Sequence, residues 1–149
     1  MGIAQRLVPA ASIAAATFYY AVSTAHPHGM DTVLLKGLCV GLLALHAGLQ
    51  GRGVDGVLLS LVMALGSAGD MVIEQSMTAG AGLFLAGNLA AVWLYRRNRR
   101  PDPAIGDFAL TIVLLVAVPA IAFALPLDRT MAPATGIYAL SLSAMAAAA

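Results

Sequence analysis

The sequence predicts an all-α protein, a polytopic transmembrane helix bundle of about six spanning helices that forms a single integral membrane domain over residues 1–149. The first observation is composition: 60% of the 149 residues are hydrophobic and 10% are charged, whereas a soluble domain has about 25% charged residues. Seven acidic and eight basic side chains cannot cover the surface of a soluble domain of this size. The second observation is that the apolar residues fall into long runs, which excludes a soluble globular protein.

Each apolar run is long enough for a helix that crosses a bilayer, which needs about 17 to 25 residues. The connections are "TAHPHGMD", "QGRGVDG", "EQS", "RRNRRPDPAIGD" and "PLDRT". They are short and rich in Pro, Gly, Asp and Arg, as turns between packed helices are. The predicted spans are residues 7–23, 32–49, 57–73, 77–95, 108–125 and 131–149.

The first span has a second interpretation, a cleaved signal peptide. Arg6 precedes the span, and the small residues Ser23, Thr24 and Ala25 lie near its end, as in a signal-peptide cleavage region. Because five more apolar runs follow, a first helix that stays in the membrane is the simpler interpretation.

Motifs of several other functional classes are absent from the sequence. There is no glycine-rich phosphate-binding loop, no HExxH, no CxxC and no basic patch interleaved with aromatic residues. His26 and His28 share a proline turn without a third ligand, and Cys39 is the single cysteine. We therefore expect no metal, no cofactor and no nucleic-acid partner.

Arginine residues in the connections predict the orientation, since positively charged loops resist translocation. With a cytoplasmic N-terminus, only Arg129 lies outside. The arginines that then lie inside are Arg6, Arg52, Arg96, Arg97, Arg99 and Arg100. We expect an integral protein of a bacterial inner membrane with this orientation.

Ionisable residues inside the predicted spans are the candidate functional residues, because each costs about 2.5 to 3.5 kcal/mol at mid-bilayer. Lys36 lies near the start of the second span and Asp70 near the end of the third, so both lie about 5 Å below the same boundary and could pair. Glu74 is on the same helical face as Asp70, one turn closer to water. On spacing alone, a purely structural ion pair remains the alternative to a functional site.

Two further polar residues lie within the predicted spans. Asn88 is deep in the fourth span, where its amide needs a partner, and a hydrogen bond between helices is the simpler interpretation of it. His46 is near the cytoplasmic end of the second span, where we expect an interfacial histidine with a satisfied ring.

Four stretches, in their order along the chain, resemble the YhhN/TMEM86 lysoplasmalogenase family. They are "LLKGLCVGLLAL", "LSLVMALGSAGDMVIE", "TAGAGLFLAGNLAAVWLY" and "APATGIYALSLSAMAAAA". The residues that fall on the family's patterns are Lys36, Gly69, Asp70, Gly80, Phe84, Tyr138 and Met145. Gly37 stands where the family has proline, and Asn88 stands where it has histidine. The family usually has eight helices, with a second aspartate motif in the seventh, so we expect this chain to lack the last two.

The resemblance implies a membrane hydrolase that cleaves the vinyl ether bond of a lysoplasmalogen to a fatty aldehyde and a glycerophospho-head-group product. It also implies a lysophospholipid substrate and membrane lipid as the partners. Such cleavage needs an acid that protonates carbon and a negative group near the resulting cation. Asp70 is the candidate catalytic residue, and Lys36, Asn88, Glu74 and Tyr138 are candidate substrate-binding or supporting residues. The alternative is a non-catalytic membrane protein: a lipid-binding or small transport component, or a degenerate family member.

Overall fold

The computed structural model describes residues 3–25, 29–99 and 105–149, and every regular element within these ranges is an α-helix. The helices are α1 (Ile3–Ala25), α2 (Met30–Gln50), α3 (Gly53–Val72), α4 (Met77–Arg97), α5 (Ile105–Ala124) and α6 (Ala132–Ala148). Each coincides with one predicted span to within four residues at either end. The predicted all-α class is confirmed.

Apolar side chains cover much of the outer surface of the helices. Among the described residues, five helices are long and apolar enough to cross a membrane, whereas α6 has 17 residues. Ile13, Phe18, Val57, Phe108 and Val116 are each more than half exposed. Because water does not tolerate so large an apolar surface, the solvent of these helices is hydrocarbon. The chain is therefore an integral membrane protein.

The chain folds as two compact units, Met1–Gly87 and Asn88–Ala149. The first unit contains α1, α2, α3 and the first half of α4, and the second contains the rest of α4 with α5 and α6. The single domain expected from the sequence stays a prediction.

Serine hydroxyls and glycines join α2 to α3 within the first unit. Ser67 Oγ donates a hydrogen bond to the Gly37 carbonyl oxygen at 2.6 Å, and Ser60 Oγ donates to the Ala44 carbonyl oxygen at 2.8 Å. A Cβ at Gly41 would lie only 3.2 Å from Ser67 Oγ, so glycine leaves the room that the hydroxyl needs. Between helices in lipid, such close packing and hydrogen bonds replace the hydrophobic driving force that acts in water.

The turn between α2 and α3 depends on three glycines. A Cβ at Gly56 would overlap the backbone of Gly51, so the two backbones touch. Gly53 between them has a φ of +67°, a left-handed conformation that glycine adopts without steric cost. This turn fixes the register of α2 against α3, and with it the depth at which side chains of the two helices face each other.

The turn between α5 and α6 in the second unit is held by polar side chains. Arg129 Nη1 donates to the carbonyl oxygens of Phe123 at 3.1 Å and Ala124 at 3.3 Å, so it caps the negative end of α5. Asp128 Oδ1 accepts hydrogen bonds from the Thr130 hydroxyl at 2.7 Å and the Thr130 N–H at 2.9 Å. Because both bonds favour the ionised carboxylate, they hold the pKa of Asp128 below its usual range.

We expect Gly56→Ala to lower the free energy of unfolding by about 1 to 3 kcal/mol, because the added Cβ forces the Gly51 backbone to move. Gly82→Ala is the matched control. A Cβ at Gly82 meets no atom within 4 Å, so that change leaves stability unchanged or raises it by up to about 1 kcal/mol. Thermal unfolding in detergent, followed by circular dichroism, measures both. Equal losses in the two variants would contradict the close contact at the turn.

We expect Thr130→Val to raise the pKa of Asp128 towards its usual value, since it removes the hydroxyl that donates to the ionised carboxylate. Because the pKa is lowered in the folded state, Asp128 adds stability above its unfolded pKa and loses that contribution as the pH falls through the folded pKa. Carboxyl carbon chemical shifts of labelled aspartate, titrated by NMR, report the change. Thr130→Ser keeps the hydroxyl and should keep the low pKa.

Candidate functional site

Lys36 lies between two carboxylates at one end of the first unit. Its Nζ is 3.7 Å from Asp70 Oδ1 and 3.5 Å from Glu74 Oε1. The contact predicted between Lys36 and Asp70 is present, and Glu74 shares the same ammonium. Asp70 is the most enclosed of the three, with 22% of its side chain exposed against 40% for Glu74. We call Lys36, Asp70 and Glu74 the ionic cluster.

The course of the backbone at the end of α3 places both carboxylates on one face. Ile73 keeps helical angles (φ −61°, ψ −30°), and its N–H donates to the Gly69 carbonyl oxygen. Residues four apart in a helical backbone are neighbours on the same side. Glu74 therefore lies one turn after Asp70, and both carboxylates contact Lys36, which belongs to α2.

Gly37, next to Lys36, makes room for the side chain of Met71. A Cβ at Gly37 would overlap the Met71 side chain. The ring of a proline would occupy the same space, because its Cβ projects from the same position. Met71 therefore packs where the ring of a proline at position 37 would lie.

The motif residues of α4 hold the end of α3 in place. A Cβ on Gly69 would lie 3.0 to 3.1 Å from three ring carbons of Phe84, so this aromatic ring covers the glycine. A Cβ at Gly80 would lie 2.6 Å from the Ile73 Cα. Gly69, Gly80 and Phe84 therefore bring the start of α4 against the end of α3, next to Asp70.

An apolar groove of about 410 Å³ runs between α2 and α3 in the first unit. Gly37 and Met71, the immediate chain neighbours of Lys36 and Asp70, line the groove. Leu34, Leu38, Gly41 and Ser67 line the rest of it, together with Leu35. None of these seven lining residues carries a charge, and Ser67 supplies the one hydroxyl among them.

Asn88 and Tyr138 belong to the second unit. Asn88 Nδ2 donates to Ser141 Oγ at 3.0 Å, and Ser141 Oγ donates to the Tyr138 carbonyl oxygen at 2.7 Å. The amide therefore has a partner on α6, as expected of a hydrogen bond between helices. A substrate-binding role for either residue stays a prediction.

His46 pairs within its own helix. Its ring lies within hydrogen-bond distance of the amide nitrogen of Gln50, one turn further along α2. This contact agrees with the satisfied histidine predicted from the sequence.

The described ranges contain no group of three His, Cys, Asp or Glu side chains that could hold a metal ion. His26 and His28 lie outside the described residues. In the ionic cluster, an ammonium occupies the place between the carboxylates that a bound cation would need. Such an arrangement can exchange protons and can contact charged groups on a ligand.

Two contacts beside the ionic cluster were missed by the sequence analysis, those of Ser67 and Met71. Ser60 and Ser67 are seven residues apart, a spacing that puts both on one helical face, and this was a usable signal for Ser67. No comparable signal exists for Met71, since its contact with Gly37 depends on the register between two helices.

A family-level comparison agrees with the resemblance seen in the sequence. The sequence model of the YhhN family matches residues 31–149, a range that includes the whole ionic cluster. No curated protein and no solved structure matches the chain. Since the family match covers well over half of the sequence, the chain belongs to the YhhN family.

Proposed function

We propose that the protein is a membrane hydrolase of the lysoplasmalogenase type, which cleaves the vinyl ether bond of a lysoplasmalogen to a fatty aldehyde and a glycerophospho-head-group product. The observation that supports this proposal most is the ionic cluster, in which Lys36 lies within 4 Å of two carboxylates. Ionisable groups in a membrane-spanning segment mark functional sites, because their burial in lipid is costly.

The depth of Asp70 suits a lipid substrate. Asp70 lies two residues before the end of α3, about 3 Å along the helix axis. The vinyl ether bond of a lysoplasmalogen also lies just beneath its head group. The reacting bond and the carboxyl group therefore lie at similar depths when the head group is at the interface.

Asp70 in its acid form donates its proton to the vinyl carbon that is not bonded to oxygen, and the electron pair of the double bond forms the new C–H bond. The ether carbon becomes an oxocarbenium ion, which an ionised carboxylate nearby stabilises, as in glycoside hydrolysis. Water then adds to this carbon, and Asp70 takes the proton that the water loses. The resulting hemiacetal separates into an alcohol and an aldehyde.

Glu74 supplies the ionised carboxylate in this scheme, and Lys36 holds it. Lys36 Nζ lies 3.5 Å from Glu74 Oε1 and 3.7 Å from Asp70 Oδ1, so the two carboxylates share one ammonium. One ammonium balances the charge of only one carboxylate at a time. Two carboxyl groups with different roles are what this reaction needs.

We expect Asp70→Asn to lower aldehyde release from a vinyl-ether lysolipid by about 100-fold or more, because the amide cannot donate and recover the proton. The asparagine side chain has nearly the same shape, and circular dichroism of the purified variant verifies its fold. The measurement is aldehyde release by the purified protein. Asp31→Asn is the matched control, since Asp31 is an exposed acid in the first turn of α2, and its rate should stay within about twofold of the unmodified protein.

Absence of aldehyde with the unmodified protein, or equal rates with Asp70→Asn, would contradict the hydrolase. Saturable lipid binding that survives Asp70→Asn without turnover would instead identify a non-catalytic lipid-binding protein. The replacement of the family's histidine by Asn88, an amide already bonded to Ser141, is the observation that favours this second function.

We also propose that the protein lies in a bacterial inner membrane with a cytoplasmic N-terminus. Arg52 precedes α3, and Arg96 and Arg97 end α4. Glu74 lies in the turn that joins the end of α3 to the start of α4. The arginines lie at the other ends of these two helices, and so on the other side of the membrane. By the rule that cytoplasmic loops are positively charged, the ionic cluster then faces the outer side.

We expect the thiol of Ser76→Cys to react with a membrane-impermeant maleimide in intact cells, and the thiol of Asn98→Cys to react only after lysis. Ser76 lies in the turn between α3 and α4, and Asn98 follows α4, so the two report opposite sides. The background is Cys39→Ser, which keeps a donor for the Leu35 carbonyl oxygen that Cys39 Sγ contacts. The reverse labelling pattern would show the opposite orientation.

A further inference from the structure

Two serines of α3 make the same kind of hydrogen bond to α2, at two different levels. Ser67 Oγ donates to the Gly37 carbonyl oxygen at 2.6 Å, and Ser60 Oγ donates to the Ala44 carbonyl oxygen at 2.8 Å. The two donors are seven residues apart, and so are the two acceptors. One contact is therefore a repeat of the other, about two helical turns further along both helices.

A glycine of α2 makes room for each of the two hydroxyls. A Cβ at Gly41 would lie 3.2 Å from Ser67 Oγ, and a Cβ at Gly48 would lie 3.2 Å from Ser60 Oγ. The two contacts thus match in donor, acceptor and packing, and they differ in where they lie along the helices.

The Ser67 contact lies beside the ionic cluster, and the Ser60 contact does not. Gly37, the acceptor of the Ser67 bond, is the chain neighbour of Lys36. Ser67 precedes Asp70 by three residues, about 4.5 Å along α3. Ser60 precedes Asp70 by ten residues, about 15 Å along the same helix. The Ser67 bond is therefore the one of the two that can hold Lys36 in place against α3.

Lys36 contacts both carboxylates only at one level along α3. Asp70 and Glu74 are four residues apart, about 6 Å along a helical backbone. Lys36 Nζ lies 3.7 Å from one and 3.5 Å from the other, and both distances exceed the roughly 2.7 to 3.2 Å of a direct N–H···O hydrogen bond. The ammonium thus lies between the two carboxylates. A shift of α2 along α3 brings it closer to one of them and takes it away from the other.

We propose that Ser67 is a positioning residue of the ionic cluster: its hydrogen bond to the Gly37 carbonyl oxygen holds Lys36 at the level where Asp70 and Glu74 share one ammonium. Ser67 acts through the backbone of α2 and not through contact with a substrate. The use of the shared ammonium in a reaction rests on the proposed function, whereas the position of Lys36 is a property of the protein alone.

The test measures two distances by solid-state NMR of the full chain in lipid bilayers, using the dipolar coupling between labelled nitrogen and labelled carbon. Lys36 is the only lysine in the sequence, and Glu74 is its only glutamate. Lysine labelled at Nζ and glutamate labelled at Cδ therefore report one pair of atoms. A second sample with aspartate labelled at Cγ reports the distance from Lys36 to Asp70, whose signal is the one that Asp70→Asn removes.

We expect Ser67→Ala to lengthen at least one of the two distances by about 1 Å, which is less than the rise of one helical residue, and so to change their ratio. The reason is that the variant loses the bond that holds Gly37, and with it Lys36, against α3. Ser60→Ala is the matched control. It removes the same kind of bond from the same pair of helices, and it should leave both distances unchanged.

A second pair of variants decides the question if Ser67→Ala does not fold. Gly41→Ala keeps the Ser67 hydroxyl and crowds it, and Gly48→Ala crowds the Ser60 hydroxyl by the same amount. We expect Gly41→Ala to change the ratio of the two distances and Gly48→Ala to leave it unchanged. Size-exclusion profiles and circular dichroism verify that each variant is folded.

Unchanged distances in folded Ser67→Ala would overturn the proposal, because other contacts would then hold Lys36. Equal changes in Ser67→Ala and Ser60→Ala would also overturn it, since any loss of contact between the two helices would then move the lysine. A change that is confined to Ser67→Ala supports the proposal.

Aldehyde release from a vinyl-ether lysolipid is a separate readout. We expect Ser67→Ala to lower kcat by about tenfold or more, since a misplacement of about 1 Å can cost about 100-fold. Ser60→Ala should stay within about twofold of the unmodified protein, because Ser60 lies about 15 Å along α3 from Asp70. Absence of aldehyde with the unmodified protein would refute the hydrolase, and the two distances would still decide the role of Ser67. Changed distances with an unchanged rate would refute only the use of the shared ammonium in the reaction.

Discussion

The contact between α2 and α3 is the interaction on which the rest of the first unit depends. In hydrocarbon, two apolar helices gain little from burying apolar surface, so association relies on close packing and on hydrogen bonds. The bond from Ser67 to the Gly37 carbonyl oxygen, at 2.6 Å, and the touching backbones of Gly51 and Gly56 supply both. They fix one register between the helices. In that register Lys36 lies level with Asp70, so the polar chemistry follows from the packing of small residues.

Much of this arrangement could be predicted from the sequence, because the depth of a residue in the membrane follows from its position along a spanning helix. The lengths of the apolar runs predict each of the described helices. Counting residues from the bilayer boundary predicts that Lys36 and Asp70 lie at the same depth. The participation of Glu74 was less predictable, since it depends on helical angles that continue through Ile73 beyond the last turn of α3. Met71 against Gly37 was not predictable, because one sequence shows the periodicity of each helix and not the rotation of one helix against another.

Several residues that carry the family resemblance lie at close contacts between helices. At Gly80 a Cβ would overlap the backbone of Ile73, and at Gly69 it would press on the ring of Phe84. None of these residues is charged, yet they pack the start of α4 against the end of the helix that holds Asp70. At Gly37 the side chain of Met71 fills the space that a Cβ on α2 would take. Gly37, Gly69, Gly80 and Phe84 therefore lie at close contacts between α2, α3 and α4.

The two residues of α3 that line the groove, Met71 and Ser67, differ in how easily they change shape. Methionine is unbranched and turns about three side-chain bonds, so it adapts its shape to its neighbours. Ser67, deeper in the same groove, is held by its hydrogen bond to the backbone of α2. The groove can therefore change its shape at Met71 while the hydrogen-bonded contact between α2 and α3 at Ser67 stays the same.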